Sequence, residues 1–138
     1  MAANTSPIFV LTPNIGQART TEANTASDGS GNLLTLFTAA TNGSRVDNIT
    51  IRNSQTTAAA SAALVVRVFL TDTGGANPKL LEEVAVPAAT RSTTAIGTAA
   101  SITFPGGLFL KSGQILKACA SVFAAASQVD ITAKGYDY

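Results

Sequence analysis

The sequence contains no histidine and no tryptophan, one cysteine, and only nine basic and eight acidic side chains among 138 residues. Without histidine, Ser-His-Asp and Cys-His relays and histidine-ligated metal sites are excluded. The lone Cys119 cannot form an intramolecular disulfide, and it lies in an apolar segment where we expect a small buried side chain. These absences predict no catalytic residue, no metal and no other cofactor, and therefore a protein that is not an enzyme.

The charged residues are distributed evenly, and the net charge is +1. No basic cluster is present, so we expect no nucleic-acid partner. No run approaches the roughly 20 apolar residues that a membrane helix needs, and residues 1–6 lack the features of a signal peptide. We therefore expect no membrane partner and synthesis in a reducing cytoplasm, while the low net charge with 46% apolar composition favours self-association.

Alternating apolar residues predict β-strands along most of the chain. In residues 64–70 every second residue is leucine or valine, which makes this segment the best candidate for the centre of the core. Residues 45–53 show the same period of two. The alternation also predicts that Leu80, Val84 and Val86 share one face.

Proline, glycine and asparagine predict where the strands end. We expect turns at residues 12–14 and at Pro105-Gly106-Gly107, and a hairpin at Asn42-Gly43. The small and polar residues 88–100 are typical of a long connection between two sheets. Roughly eight or nine strands separated in this way predict an all-β, antiparallel β-sandwich of jelly-roll type.

The length favours a single β-sandwich domain that spans residues 1–138. Proline cannot donate to a β-ladder, so the apolar residues between Pro7 and Pro13 are confined to an edge strand or to an extended arm. Residues 1–12 are therefore a candidate N-terminal arm.

Three short motifs suggest chemistry but have simpler interpretations. Asp72-Thr73-Gly74 follows an apolar strand and is similar to the active-site signature of aspartic proteases, which as a small chain would act as a homodimer. Asp, Thr and Gly in this order also form ordinary turns at the ends of strands, and we favour this interpretation. Residues 28–32 offer oxygen ligands for calcium but lack the usual glutamate, so a solvated loop is favoured. Glu82 and Glu83 are adjacent on a strand and cannot flank one glycosidic bond.

Three segments carry a resemblance to a known group of proteins. Residues 3–16, 36–47 and 104–113 resemble small structural proteins of tailed bacteriophages and prophages, and the order of elements is similar over most of the chain. The resemblance implies a jelly-roll capsid cement, or decoration, protein that binds the outer face of an HK97-like phage shell and clamps neighbouring capsomers. It brings no catalytic residues and no invariant ligand motif.

This resemblance implies two partners, the major capsid protein and other copies of the chain, with a dimer slightly favoured over a trimer. The implied location is the capsid surface of the virion, after assembly in the cytoplasm of a bacterial host. Tyrosine supplies a large contact area with few rotors. From this chain alone, the candidate interaction residues are the arm and the C-terminal tyrosines: Pro7, Ile8, Phe9, Val10, Leu11, Tyr136 and Tyr138.

Two alternatives remain open. Phe9, Tyr136 and Tyr138 could instead pack within the monomer core. The protein could also be a phage tail or fibre module that binds a host glycan through the loops at one end of the sandwich, although sugar sites usually present a stacking aromatic and tryptophan is absent.

Overall fold

The computed structural model describes Phe9, residues 12–55 and residues 59–138, and β-strands dominate this part of the chain. Its single helical element is a 3-10 turn at Ala125–Ser127. No helix among the described residues is long and apolar enough to cross a membrane. The strands are β1 (Thr12–Arg19), β2 (Leu34–Thr38), β3 (Ser44–Asn53), β4 (Leu64–Thr73), β5 (Lys79–Val86), β6 (Ala99–Leu110), β7 (Gln114–Ala120) and β8 (Val129–Asp137).

The strands form two antiparallel sheets of four. Sheet A has the order β1-β8-β3-β6 and sheet B has the order β2-β7-β4-β5. Every connection except β4 to β5 therefore crosses from one sheet to the other, which is the arrangement of a jelly roll. The all-β sandwich predicted from the sequence is confirmed, and so is the crossing from β5 to β6, although residues 99 and 100 already belong to β6.

Apolar side chains from both sheets fill the space between them. Strand β4 contributes Leu64, Val66 and Val68, and β3 faces them with Ile49 and Ile51. Burying a side chain of this size stabilises the fold by about 1.5–3 kcal/mol relative to leaving it in water. The period of two in β3 and β4 thus indicated the core faces of these strands correctly.

The hairpin predicted at Asn42-Gly43 is wrong, because the two strands that it joins lie in different sheets. Strand β2 pairs with β7, whereas β3 pairs with β6 and β8. The glycine does take a positive φ of 92°, and its N–H donates to the Ala40 carbonyl at 2.9 Å. The turn chemistry was interpreted correctly, but a tight turn in a jelly roll can cross the sandwich instead of folding a strand back on its neighbour.

The turn predicted at residues 12–14 is also wrong, since all three residues belong to β1. Pro13 lies opposite Tyr136 of β8. Strand β1 is at the edge of sheet A, and an edge strand tolerates proline because one side of it makes no ladder hydrogen bonds.

A bulge replaces the turn predicted at Pro105-Gly106-Gly107. Strand β6 runs without a break to Leu110, while its register with β3 moves from Asn48↔Thr103 to Val46↔Leu108. Residues 104–107 therefore stand opposite one residue of β3, and Gly106 and Gly107 have φ values of 78° and 86°. An insertion of this kind bends the strand without ending the pairing.

The outer face of sheet B is covered by the connection from β1 to β2. Asn24 N–H donates to the Ala120 carbonyl at 2.9 Å, and Arg67 Nη1 donates to the Thr25 carbonyl at 3.3 Å. Phe69 and Cys119 are fully or almost fully buried, although their register places them on this outer side. The sandwich is thus asymmetric, with the outer face of sheet B partly covered by its own chain over β4 and β7 while β5 stays exposed.

Candidate interaction surface

The outer face of sheet A carries rows of side chains that the strand register defines. They alternate with the buried residues of β3 and β8, and each row crosses all four strands. The row nearest the start of β1 contains Pro13, Tyr136, Arg45 and Phe109. The row at the other end contains Arg19, Asp130, Arg52 and Ala99. The face is therefore aromatic at one end and charged at the other.

The aromatic end is exposed and extends beyond one row. Phe109 is 64% exposed and Ile15 is 61% exposed. The ring of Tyr138 stacks on Phe109 with centroids 6.4 Å apart, and the guanidinium of Arg45 lies 5.5 Å from the centre of the Tyr136 ring. We call this surface the aromatic patch, and its members are Pro13, Ile15, Arg45, Phe109, Tyr136 and Tyr138.

A glycine in the bulge leaves room for the Arg45 side chain, since a Cβ on Gly107 would come within 2.4 Å of Arg45 Cδ. Asp47, at the bulge, lies 2.9 Å from Arg45 Nε. With Gly107 and Asp47 in these positions the guanidinium lies against Tyr136, where a cation and an aromatic face attract each other.

Hydrogen bonds fix the C-terminal residues that carry the tyrosines. The Asp137 carboxylate accepts from Ser44 Oγ at 2.5 Å and from Asn14 Nδ2 at 2.9 Å. Tyr138 N–H donates to the Gly43 carbonyl at 3.2 Å. The tyrosines are therefore held in a defined position, which lowers the entropy cost of using them in a contact.

The structure brings together two of the residues that the sequence singled out, Tyr136 and Tyr138. Phe9 is 69% exposed and so does not pack within the core. The remaining candidates, Pro7, Ile8, Val10 and Leu11, lie outside the described residues. Because Thr12 pairs with Asp137, the chain enters β1 beside the patch.

Sequence reasoning missed the other members of the patch. Arg45 and Phe109 are far from the C-terminus in the chain and reach Tyr136 and Tyr138 only through strand pairing. The only local signal in the sequence was Phe109, an aromatic residue two positions after the second glycine of the bulge. Their role in an interaction, like that of the tyrosines, remains a prediction.

At the charged end, Arg19 and Asp130 form an ion pair with two hydrogen bonds, at 2.6 and 2.8 Å. The hydrogen bond from Arg19, followed by its positive charge, holds the pKa of the Asp130 carboxyl below its usual range. The pair is exposed, so its contribution to stability is small.

We expect Asp130→Asn to lower the stability slightly at neutral pH. Because the pKa of Asp130 is depressed in the folded state, its stabilising effect is present above the ordinary aspartate pKa and is lost as the pH falls through the folded-state value. Urea denaturation at neutral pH and at a series of acidic pH values should show the two proteins converging in acid. A difference that grows toward low pH would contradict this assignment.

Asp72-Thr73-Gly74 ends strand β4 and begins the turn to β5, which agrees with the strand-ending turn favoured from the sequence. Asp72 N–H donates to the Ala76 carbonyl at 2.8 Å, and Asn77 Nδ2 donates to the Asp72 carboxylate at 2.9 Å. The Asp72 carboxylate is exposed, and the Asn77 amide is hydrogen-bonded to it.

The loop at residues 28–32 satisfies its own polar groups. Asp28 Oδ1 accepts from the backbone N–H and the hydroxyl of Ser30 at 2.9 and 2.6 Å, and these hydrogen bonds lower the pKa of Asp28. Among the described residues, no group of three or more acidic or cysteine side chains is placed to hold a metal ion.

Cys119 is buried, as the sequence predicted. Burial raises the pKa of its thiol, and the nearby charge of Arg67 opposes this effect. A thiol in this setting is mostly protonated at neutral pH and behaves as a small apolar side chain.

A comparison with solved structures finds that this chain is similar to parts of two larger chains from viral particles. The first is the crystal structure of the IBDV viral particle, with 14% identity, a TM-score of 0.37 and coverage of 100% of this chain. The second is the structure of the infectious bursal disease virus Gt strain, with 19% identity, a TM-score of 0.32 and coverage of 99%. This chain spans 35% of the length of each matched chain. No family model and no curated protein matches the chain.

Proposed function

We propose that the protein is a virion structural protein, a capsid cement protein that binds the outer face of a tailed-phage shell and clamps neighbouring capsomers. Its partners are the major capsid protein and other copies of the same chain. The resemblance of residues 3–16, 36–47 and 104–113 to phage structural proteins suggests this role. The aromatic patch is the observation that carries it.

The patch has the composition of a contact surface. Tyrosine and arginine are enriched among the residues that dominate binding energy, and here an arginine already lies against a tyrosine ring. Exposed apolar side chains that cluster on one face of a small protein mark interaction sites more often than scattered ones do. Part of the outer face of sheet B is covered by residues 20–33, whereas the described aromatic patch on sheet A is exposed.

A cement protein gains affinity by contacting several shell subunits at once. After one copy has made its first contact, each further contact is effectively intramolecular, and modest affinities multiply. A small sandwich whose first strand begins beside its patch suits this geometry. We assign the arm, with Pro7, Ile8, Phe9, Val10 and Leu11, to a second contact with the shell.

Co-sedimentation with empty heads of the encoding phage tests the proposal. We expect Phe109→Ser with Tyr136→Ser to weaken head binding at least about tenfold, because central aromatic residues contribute more than about 1 kcal/mol each. Ile96→Ser is the matched control, since Ile96 is 88% exposed and lies in the β5 to β6 connection outside the patch. The control should bind as the native protein does.

Undiminished binding of the double variant, with folding verified by urea denaturation, would refute the role of the patch. Deleting residues 1–11 tests the arm separately. Head binding equal to that of the full chain would show that the arm does not contribute to the contact with the shell. If the protein does not bind heads but does bind glycans on an array, this result would favour the tail-module alternative.

A further inference from the structure

The free edges of the two sheets differ in how well they are protected. An edge strand presents unpaired backbone N–H and C=O groups and invites another strand to pair with it. Strand β1 approaches β2 so closely that a Cβ on Gly16 would lie 1.9 Å from the Leu36 carbonyl oxygen. The β5 edge carries the exposed charges Lys79, Glu82 and Glu83, and β2 has only five residues.

The β6 edge also lies near a strand of the other sheet, β5, but over its first half it has neither the charges of β5 nor the shortness of β2. Residues 99–104 contain no charged residue and no proline, and their only strand partner among the described residues is β3. On the outer face Ala99, Ser101 and Thr103 are small and exposed. On the inner face Ala100 and Phe104 pack against the core but are only partly buried, so a strand added at this edge would complete their burial.

We propose that two copies of the chain pair through this edge, with residues 99–103 of one copy antiparallel to the same residues of the other and Ser101 beside the two-fold axis. In this register the outer-face residues of one copy lie opposite outer-face residues of the other. The pairing joins two A sheets into one eight-stranded sheet. Pro105 and the bulge that follows it prevent the pairing from extending past residue 104, because proline has no N–H to donate and the bulge bends the strand.

The chemistry of the edge selects a second copy as the occupant. In an antiparallel pair of identical strands, each donor of one strand meets an acceptor of the other, and the contact is closed by its own symmetry. Serine and threonine side chains pair favourably across antiparallel strands. A net charge of +1 leaves little repulsion between copies.

The pairing gives a structural form to the self-association in the proposed function but does not depend on shell binding, so its failure and a failure of shell binding are separable. Sedimentation equilibrium of the full chain alone should give a concentration-dependent dimer. Ser101→Lys places like charges near each other across the two-fold axis of the interface, and we expect it to raise the dimer dissociation constant at least about tenfold. Gln17→Lys is the matched control, because Gln17 lies in the same row at the opposite edge of sheet A.

A charge-swap mixture separates pairing from a folding defect. Ser101→Lys mixed with Ser101→Glu should restore the dimer, because opposite charges then meet at the edge. A native protein that stays monomeric at every concentration would overturn the proposal, and so would Ser101→Lys that dimerises like Gln17→Lys. Loss of the dimer on deletion of residues 1–11 would also overturn it, by assigning the contact to the arm.

Discussion

Gly135→Ala is expected to lower the free energy of unfolding by about 3 kcal/mol or more. The added Cβ would lie 2.0 Å from the Arg45 carbonyl oxygen and 2.9 Å from Val46 Cα, and both are backbone atoms of the central strand β3. Neither can move without disturbing the pairing of β3 with β8. Urea denaturation followed by circular dichroism measures the loss.

Gly74→Ala is the control for Gly135→Ala. A Cβ on Gly74 meets no heavy atom within 4 Å, and its φ of +81° adds only a local backbone strain of about 1–2 kcal/mol. Equal losses in the two variants would show that the close approach of β8 to β3 is not what requires glycine at position 135.

Phe37→Ala is expected to cost about 3–5 kcal/mol, the range for removing a buried aromatic ring. Phe37 is almost fully buried and belongs to the same core cluster as its neighbour Leu36. Strand β2 is short, so the two side chains together attach it to the sandwich. The neighbouring Thr35 is exposed, and Thr35→Ala should change stability by less than about 0.5 kcal/mol.

The same denaturation experiment measures both β2 variants. If Phe37→Ala and Thr35→Ala were equally mild, β2 would not be anchored through the core. Adjacent burial of Leu36 and Phe37 arises from a register shift between Thr35 and Phe37 against β7, so the result also tests whether this irregularity positions the strand.

Such irregularities explain where the sequence pattern failed. Residues with a strict period of two, as in β4, predicted the core correctly. In β5 the expected face is confirmed for Val84 and Val86 but wrong for Leu80, because a register shift between Val68 and Phe69 changes which residues of β5 face inward. Leu81 therefore packs against the core, while Leu80 is 42% exposed. A bulge depends on the partner strand, which a local pattern does not contain.

The candidate site was predictable only in part, for a related reason. Tyrosines near a chain end are a visible local signal, and Tyr136 and Tyr138 were identified from it. Arg45 and Phe109 join them through pairing between β8, β3 and β6, and that pairing follows from the jelly-roll order of the strands. The order is a property of the whole chain, so no segment taken alone indicates it.

Cryo-electron microscopy of the virion that the cement proposal implies tests the central claim most directly. The cement proposal predicts density for the sandwich on the outer face of the shell, with Phe109, Tyr136 and Tyr138 directed at the junction of neighbouring capsomers. A capsid surface without this density, or a sandwich located only at the tail, would contradict it.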